Sequence, residues 1–260
     1  MHLWNLKPKK TKRLSPYSET ETWEKDEFLS IIKYEQFQRN KAALALLWDL
    51  DARPHEITLL KMKHIRLKEK YGEGEIPHQA KTGAGPILLT CSFSYVRDWL
   101  NLHPFKNEPY ARLICNLHNG APIKAEALHT MMTQLKKRIT RLIETGEIKD
   151  EEKEKMLLVI SNNRFNPYCI RHSAITYDSD YLPEFALKKK VRWSMNSKQG
   201  TRYIKTRMGN ELRNKILAYN GIISENEIVK KPTILACPSC QFVNIIENKY
   251  CSKCSYPLKP

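Results

Sequence analysis

Apolar residues recur every three or four positions along most of this chain, and the pattern predicts a mainly helical fold. Phe28, Ile31 and Ile32 mark a buried stripe behind a first turn that carries Glu24, Asp26 and Glu27. Carboxylates suit the positive end of a helix there, and Thr22 is the expected cap. Ala42, Ala43, Leu46 and Leu47 define a second helix ending near Asp49, and Pro54 opens a third with Ile57, Leu60 and Ile65 facing inward. The period then shortens. Residues 63–68, a turn at Gly72-Glu73-Gly74, residues 75–80, a second turn at Thr82-Gly83-Ala84-Gly85 and residues 86–90 read as a small three-stranded antiparallel sheet. Helical spacing returns over 92–102, 124–144 and 150–160. Asn166 caps a helix whose first residue is Pro167, Pro183 begins another, and 197–207 and 209–220 complete the set, with Gly221 as a stop. The fold class is mainly α (α+β), followed by a minidomain.

Length and composition fit this picture. The 260 residues are 41% hydrophobic, enough for a packed core. No apolar run approaches the ~20 residues of a membrane span. The start, Met1 to Lys7, lacks the apolar stretch and small-residue cleavage site of a signal peptide. The expected divisions are a basic linker at 1–20, a main domain at 21–221, a second linker at 222–236 and the minidomain at 237–260.

Charge narrows the choice of partner. The formal net charge is +16, from 44 Lys+Arg against 28 Asp+Glu. It is clustered: residues 186–215 hold ten basic side chains and one acidic one, Glu211. A solvated surface mixes the signs more evenly, so the excess points to a polyanion, with nucleic acid the expected partner.

The candidate chemistry lies near Asn166-Pro167-Tyr168-Cys169-Ile170-Arg171-His172-Ser173, followed by Arg192-Trp193 and Tyr203. Transfer of a phosphodiester requires neutralised non-bridging oxygens, a nucleophile in line and a proton for the leaving oxygen. Arginine serves the first need with a planar fork that stays charged, tyrosine can attack, and lysine can donate the proton. Arg53 stands at a helix start, Lys81 in a strand turn, and Tyr168 and Arg171 three apart on one helix face. Taken singly, each has a plainer reading. Arg53 reads as a surface partner of Glu56, Lys81 as a solvated lysine, Trp193 as core, and Tyr168 and Tyr203 as half-buried aromatics. Together and in this order, on a basic domain, they read as one site. Tyr177 and Tyr181 are rival nucleophiles by chemistry alone.

These boxes resemble the catalytic domain of tyrosine recombinases, the phage-integrase type, in particular archaeal members. Arg53-Pro54-His55-Glu56-Ile57 resembles the first-arginine box, Ala80-Lys81-Thr82-Gly83 the lysine hairpin, and Tyr168-Cys169-Ile170-Arg171-His172-Ser173 the second-arginine box. Arg192-Trp193 resembles the Gly-His or Gly-Trp step, and Gly200-Thr201-Arg202-Tyr203 the nucleophile box. The resemblance implies a site-specific recombinase in which Tyr203 attacks a DNA phosphate to form a 3′-phosphotyrosyl link. Arg53 and Arg171 would stabilise the phosphorane, Lys81 would protonate the 5′ oxygen, and Trp193 would donate to a non-bridging oxygen. It implies no ATP and no catalytic metal, other recombinase subunits in a synaptic complex, and a cytoplasmic, nucleoid-associated location.

Two positions depart from the family pattern. Tyr168 stands where a histidine is usual, and Arg192 where a glycine is common. Family members also carry an N-terminal core-binding domain, and this chain reads as beginning at the linker to the catalytic domain. The alternative reading is therefore a catalytically impaired DNA-binding remnant or accessory factor. A type IB topoisomerase shares the chemistry, but the length and the minidomain fit it less well.

Cys237-Pro238-Ser239-Cys240 and Cys251-Ser252-Lys253-Cys254 form two C-x-x-C pairs ten residues apart. Four thiolates at this spacing suit a structural Zn2+ in a zinc ribbon, and so small a segment needs the metal to fold. Lys249, Lys253 and Lys259 with Phe242, Tyr250 and Tyr256 are expected to touch DNA, cover the small core or contact a protein. Cys91, Cys115 and Cys169 are expected as reduced core residues.

Overall fold

The computed structural model describes residues 17–80, 84–148, 150–200, 203, 210–224, 234–246 and 248–259. Helix α2 (Gln38–Asp49) is the centre of the fold: Ala42 to Trp48 are all buried, so the helix is covered on every side. Around it pack α1 (Lys25–Ile32), α4 (Phe93–Leu102), α5 (Glu126–Glu144) and α7 (Pro167–Ser179). Trp23, Phe28 and Trp48 build an aromatic wall, with Phe28 and Trp48 stacked at 5.2 Å between ring centroids. Cys91, Cys115 and Cys169 are buried free thiols in this core.

The first helix is capped by Glu24 and not by Thr22. The Glu24 N–H donates to Glu27 Oε2 at 2.9 Å, half of a capping box. Trp23 is held outside the helix because its N–H donates to Ser173 Oγ (2.9 Å) on α7 and its indole N–H to the Arg164 carbonyl (3.0 Å). The Arg164 N–H returns to the Glu21 carbonyl at 3.2 Å. These bonds strap residues 17–24 across α7.

The sheet is antiparallel in the order β1 (Ile65–Leu67), β2 (Gly72–Ile76), β3 (Gly85–Leu89). Gly72-Glu73-Gly74, expected as a turn, instead lies in the central strand. Its glycines serve close approach: a Cβ on Gly74 would sit 2.2 Å from the His64 carbonyl oxygen, and one on Gly72 would sit 3.1 Å from Leu89 Cβ. The reversal falls earlier, where the Lys68 N–H donates to the Tyr71 carbonyl at 2.8 Å. The sheet is pinned to the helical core by Asp49 at the end of α2. Its carboxylate accepts from the Thr90 N–H (2.6 Å), the Ser92 N–H (3.0 Å) and the Ser92 hydroxyl (2.6 Å).

Helix α3 (Pro54–Leu59) begins with Pro54 as expected, and α6 (Asp150–Asn162) packs on α5. Asn166 caps α7 through Oδ1, which accepts from the Tyr168 N–H at 2.8 Å. Helix α8 (Glu184–Lys190) follows Pro183, and α9 (Asn210–Tyr219) ends at Gly221, whose φ of 70° is left-handed. Of the helix expected over 197–207, residues 197–200 and 203 are described; Ser197 to Gln199 lie outside any helix, so its start falls later than expected, and Gly200 and Tyr203 are helical. Lys81, its neighbours Thr82 and Gly83, and most of the two expected linkers lie outside the described residues. Strands β4 (Ile234–Ala236) and β5 (Val243–Ile245) pair antiparallel near the C-terminal end. Among the described residues, no helix is long and apolar enough to cross a membrane.

Candidate active site and metal centre

The site is organised by one carboxylate. Glu56, the third residue of α3, is fully buried, although its pairing with Arg53 reads from sequence as a surface contact. Its Oε2 accepts from the Arg53 backbone N–H at 3.0 Å, and its Oε1 from Arg53 Nη1 at 3.0 Å. Oε2 also accepts from Arg192 Nη2 at 2.9 Å and lies 4.0 Å from Arg171 Nη1. Three guanidiniums therefore surround a single buried carboxylate. Removing it would leave buried positive charge without a counterion, which typically costs about 3–5 kcal/mol.

Arg171 comes from α7, where Cys169, Ile170 and Ala174 face the core and Arg171 with His172 faces the other way. Its side chain is buried, yet Nη1 and Nη2 meet no hydrogen-bond acceptor among the described residues. Burial disfavours its charged form, the Arg53 guanidinium adds to that effect, and Glu56 opposes both. An anion seated here would relieve the first two.

Arg192 and Trp193 follow the last turn of α8. The Trp193 N–H donates to the Lys188 carbonyl (2.9 Å) and the Arg192 N–H to the Lys189 carbonyl (3.1 Å), the two bonds of a Schellman stop. Arg192 occupies its left-handed position with φ 59°, where glycine is the usual residue and a side chain costs roughly 1–2 kcal/mol. A glycine would take this backbone conformation without strain, and here an arginine takes it. Its guanidinium is held by the Leu50 carbonyl (3.2 Å), the Lys190 carbonyl (3.0 Å) and Glu56. Gly85 at the base of the β2–β3 hairpin lies against it, since a Cβ there would sit 3.0 Å from Arg192 Cγ.

A cavity of about 430 Å³ opens in front of these arginines, lined by Tyr17, Arg53, Tyr168, Arg171, His172, Gln199 and Tyr203. The Tyr203 ring lies between Trp193, 5.4 Å away by centroid, and His172, 4.7 Å away. Trp193 Nε1 is a second buried donor without a partner among the described residues. Tyr168 is half exposed at the cavity mouth, at the second residue of α7. The fold thus brings Arg53, Arg171, Trp193, Tyr168 and Tyr203 together, while Lys81 falls outside the described residues. Tyr17, Gln199 and the buried state of Glu56 went unread in the sequence. Tyr17 arrives by the strap at 17–24, for which the sequence carries no periodic signal. Its phenol is pushed up to about 12, mainly by burial, so it remains protonated at neutral pH and is a poor nucleophile there. Tyr177 and Tyr181 contact each other on the far side of α7 and do not line the cavity.

The four terminal cysteines converge. The Sγ atoms of Cys237, Cys240, Cys251 and Cys254 all lie within 4.8 Å of one another, and two pairs are 3.6 Å apart. Tetrahedral thiolates ~2.3 Å from a metal lie about 3.8 Å from each other, so the donor set fits such an ion. The two knuckles share one geometry. The Gln241 N–H donates to the Cys237 carbonyl (2.8 Å) and the Ser255 N–H to the Cys251 carbonyl (2.9 Å), and both Gln241 and Ser255 have φ 59°. Asn244 Nδ2 and the Lys253 N–H approach Cys251 Sγ at 3.5 and 3.4 Å. Burial raises the Cys251 thiol, but backbone and Asn244 hydrogen bonds outweigh it and favour the thiolate. The knuckles rest on the helical body. Phe242 packs edge-on against Tyr95 at 5.2 Å, Arg97 Nη2 donates to the Cys240 carbonyl at 2.7 Å, and Lys253 pairs with Asp98 at 2.6 Å. Of the residues expected at a ribbon surface, Phe242 and Lys253 therefore face α4.

No protein-family model matches the chain, and no curated protein matches it in sequence. Solved structures do match. The crystal structure of XerA recombinase aligns with a TM-score of 0.57 at 14% identity, over 84% of this chain and 68% of that one. The XerH site-specific recombinase bound to a palindromic difH substrate, a post-cleavage complex, aligns with a TM-score of 0.53 at 15% identity, over 79% of this chain and 53% of that one. The Tn1549 transposon integrase in complex with transposon right-end DNA aligns with a TM-score of 0.51 at 13% identity, over 79% of this chain and 68% of that one. At these identities the likeness is one of fold: a mostly helical body with a small antiparallel sheet, as in tyrosine recombinases.

Proposed function

We propose that this protein cuts and rejoins double-stranded DNA at specific sites through a 3′-phosphotyrosyl intermediate. The observation that carries the reading is the cavity lined by Arg53, Arg171 and Tyr203, in which the two Nη atoms of Arg171 are buried donors without an acceptor among the described residues. Buried donors are nearly always paired, and a phosphate oxygen is the acceptor that this shape and charge suit. The scissile phosphate enters between Arg53 and Arg171, and Trp193 Nε1 donates to a further non-bridging oxygen. Tyr203 Oη attacks phosphorus and passes its proton to water as the P–O bond forms. The bond to the 5′ oxygen breaks, and Lys81 supplies the proton that oxygen takes. Tyr168 stands where a histidine would relay protons, and serves as a hydrogen-bond donor at the cavity mouth. Reversal by a 5′-hydroxyl reseals the strand without ATP.

The rest of the chain serves this chemistry. Residues 21–221 form the catalytic domain and 237–260 a zinc ribbon whose four cysteines hold one structural Zn2+. The basic stretch at 186–215 follows the DNA backbone, and other recombinase subunits complete a synaptic complex. A protein of this kind works at the nucleoid in the cytoplasm.

The test is a randomised library of DNA duplexes, each nicked near its centre so that cleavage releases a short fragment and prevents resealing. The expected result is a covalent protein–DNA adduct at a 3′-phosphate, with a free 5′-hydroxyl on the released strand, enriched for one sequence. DNA retention without any covalent adduct would instead establish a binding module.

A further inference from the structure

We propose that Arg192 is a positioning residue: it occupies Glu56 so that the Arg171 fork stays open to the phosphate. The inference rests on the reading of the site given above and adds a role for a residue outside the reacting set.

Among the described residues, Glu56 Oε2 accepts from the Arg53 backbone N–H at 3.0 Å and from Arg192 Nη2 at 2.9 Å, while Arg171 Nη1 waits at 4.0 Å. A buried carboxylate oxygen that loses one strong donor draws in the next, because an unpaired buried charge is costly. Without Arg192, a shift of about one ångström brings Arg171 Nη1 into hydrogen-bonding range of Oε2. One of the two donors otherwise free for phosphate would then be spent on the protein itself. Arg192 prevents this by keeping Oε2 paired at 2.9 Å.

The structure makes a purely local role for Arg192 a poor explanation. The left-handed backbone at φ 59° favours glycine, so the arginine stands there against backbone preference. Its side chain is buried and runs to Glu56, 136 positions earlier in the chain, with supporting bonds to the carbonyls of Leu50 and Lys190. It also joins three parts of the site. Its backbone sets the Schellman stop that delivers Trp193, its stem covers Gly85 at the base of the hairpin, and its guanidinium ends at the first-arginine helix.

A tetrahedral dianion tests this without requiring catalysis. Tungstate binding is measured by calorimetry on the full chain and on R192G, R192K, E56Q, R171A and the pair R192G with E56Q. Glycine suits the turn, and glutamine keeps an acceptor oxygen; circular dichroism and thermal melting monitor the fold of each variant. R171A is expected to abolish binding, which locates the anion. R192G is expected to weaken it about tenfold, and R192K to stay within about threefold of the parent. In the E56Q background the carboxylate no longer competes, so adding R192G should change affinity by less than about twofold. An equal loss in both backgrounds would overturn the proposal in favour of a packing or turn role. R192G binding like the parent, or a parent that binds no tungstate, would also overturn it. The expected tungstate pattern with no covalent DNA adduct would leave the positioning role standing and sink the recombinase reading alone.

Discussion

Arg171→Ala is expected to slow formation of the covalent DNA adduct by about 10²–10³-fold, the scale for losing one preorganised donor to a developing oxyanion. DNA affinity should change far less, because binding draws on many phosphate contacts and a formal charge of +16. The effect is large because Arg171 is buried and its Nη atoms have no other acceptor among the described residues. Its hydrogen bonds to phosphate then form where water competes little. Arg171→Lys should recover little of the lost rate, since a single ammonium cannot reproduce the planar fork. Single-turnover cleavage of a nicked duplex reads the rate, and a salt titration of binding reads the affinity. A loss below about tenfold, or a parallel collapse of binding, would show that Arg171 serves packing and not phosphoryl transfer.

Removing the metal is expected to unfold residues 234–258 while the helical body stays folded. The segment has a two-stranded sheet and little core of its own, and metal binding to such units supplies on the order of 10 kcal/mol of folding energy. Hydrogen exchange after treatment with a strong chelator should show loss of protection at the amides of Cys237 and Cys251, which donate to the Phe242 and Tyr256 carbonyls. Amides in α2 and α7 should remain protected. Because Cys240 and Lys253 bond to Arg97 and Asp98, the middle of α4 should loosen as well. Mass analysis of the native protein should show one zinc per chain. Ribbon amides that stay protected after chelation, or a native protein that carries no metal, would contradict a metal-folded ribbon.

Much of this architecture was written locally in the sequence. Asn166 and Pro167 mark the start of α7 by capping and by a fixed φ, and the helix places Arg171 and His172 toward the cavity by its period. The two C-x-x-C pairs specify their convergence because each knuckle is a short-range structure. What escaped the sequence depends on contacts between distant segments. Gly72 and Gly74 resemble turn residues until His64 and Leu89 are seen packed against them. Glu56 sits at helical spacing from Arg53 in both surface and buried ion pairs, and only Arg171 and Arg192, more than a hundred residues later, distinguish the two. Tyr17 lines the cavity with its ring edge-on to His172 at 5.3 Å, six residues before the Trp23 bonds to Ser173 and Arg164, a placement that no periodicity encodes. Lys81 is expected as a turn residue and lies outside the described residues, so its role rests on the family resemblance.

The decisive measurement is mass spectrometry of the adduct trapped on nicked DNA, after digestion of both protein and nucleic acid. The predicted result is a nucleotide attached through a 3′-phosphate to the peptide that contains Tyr203, with the adduct lost in Tyr203→Phe. Attachment at Tyr17, Tyr168, Tyr177 or Tyr181, or persistence of the adduct in Tyr203→Phe, would contradict it.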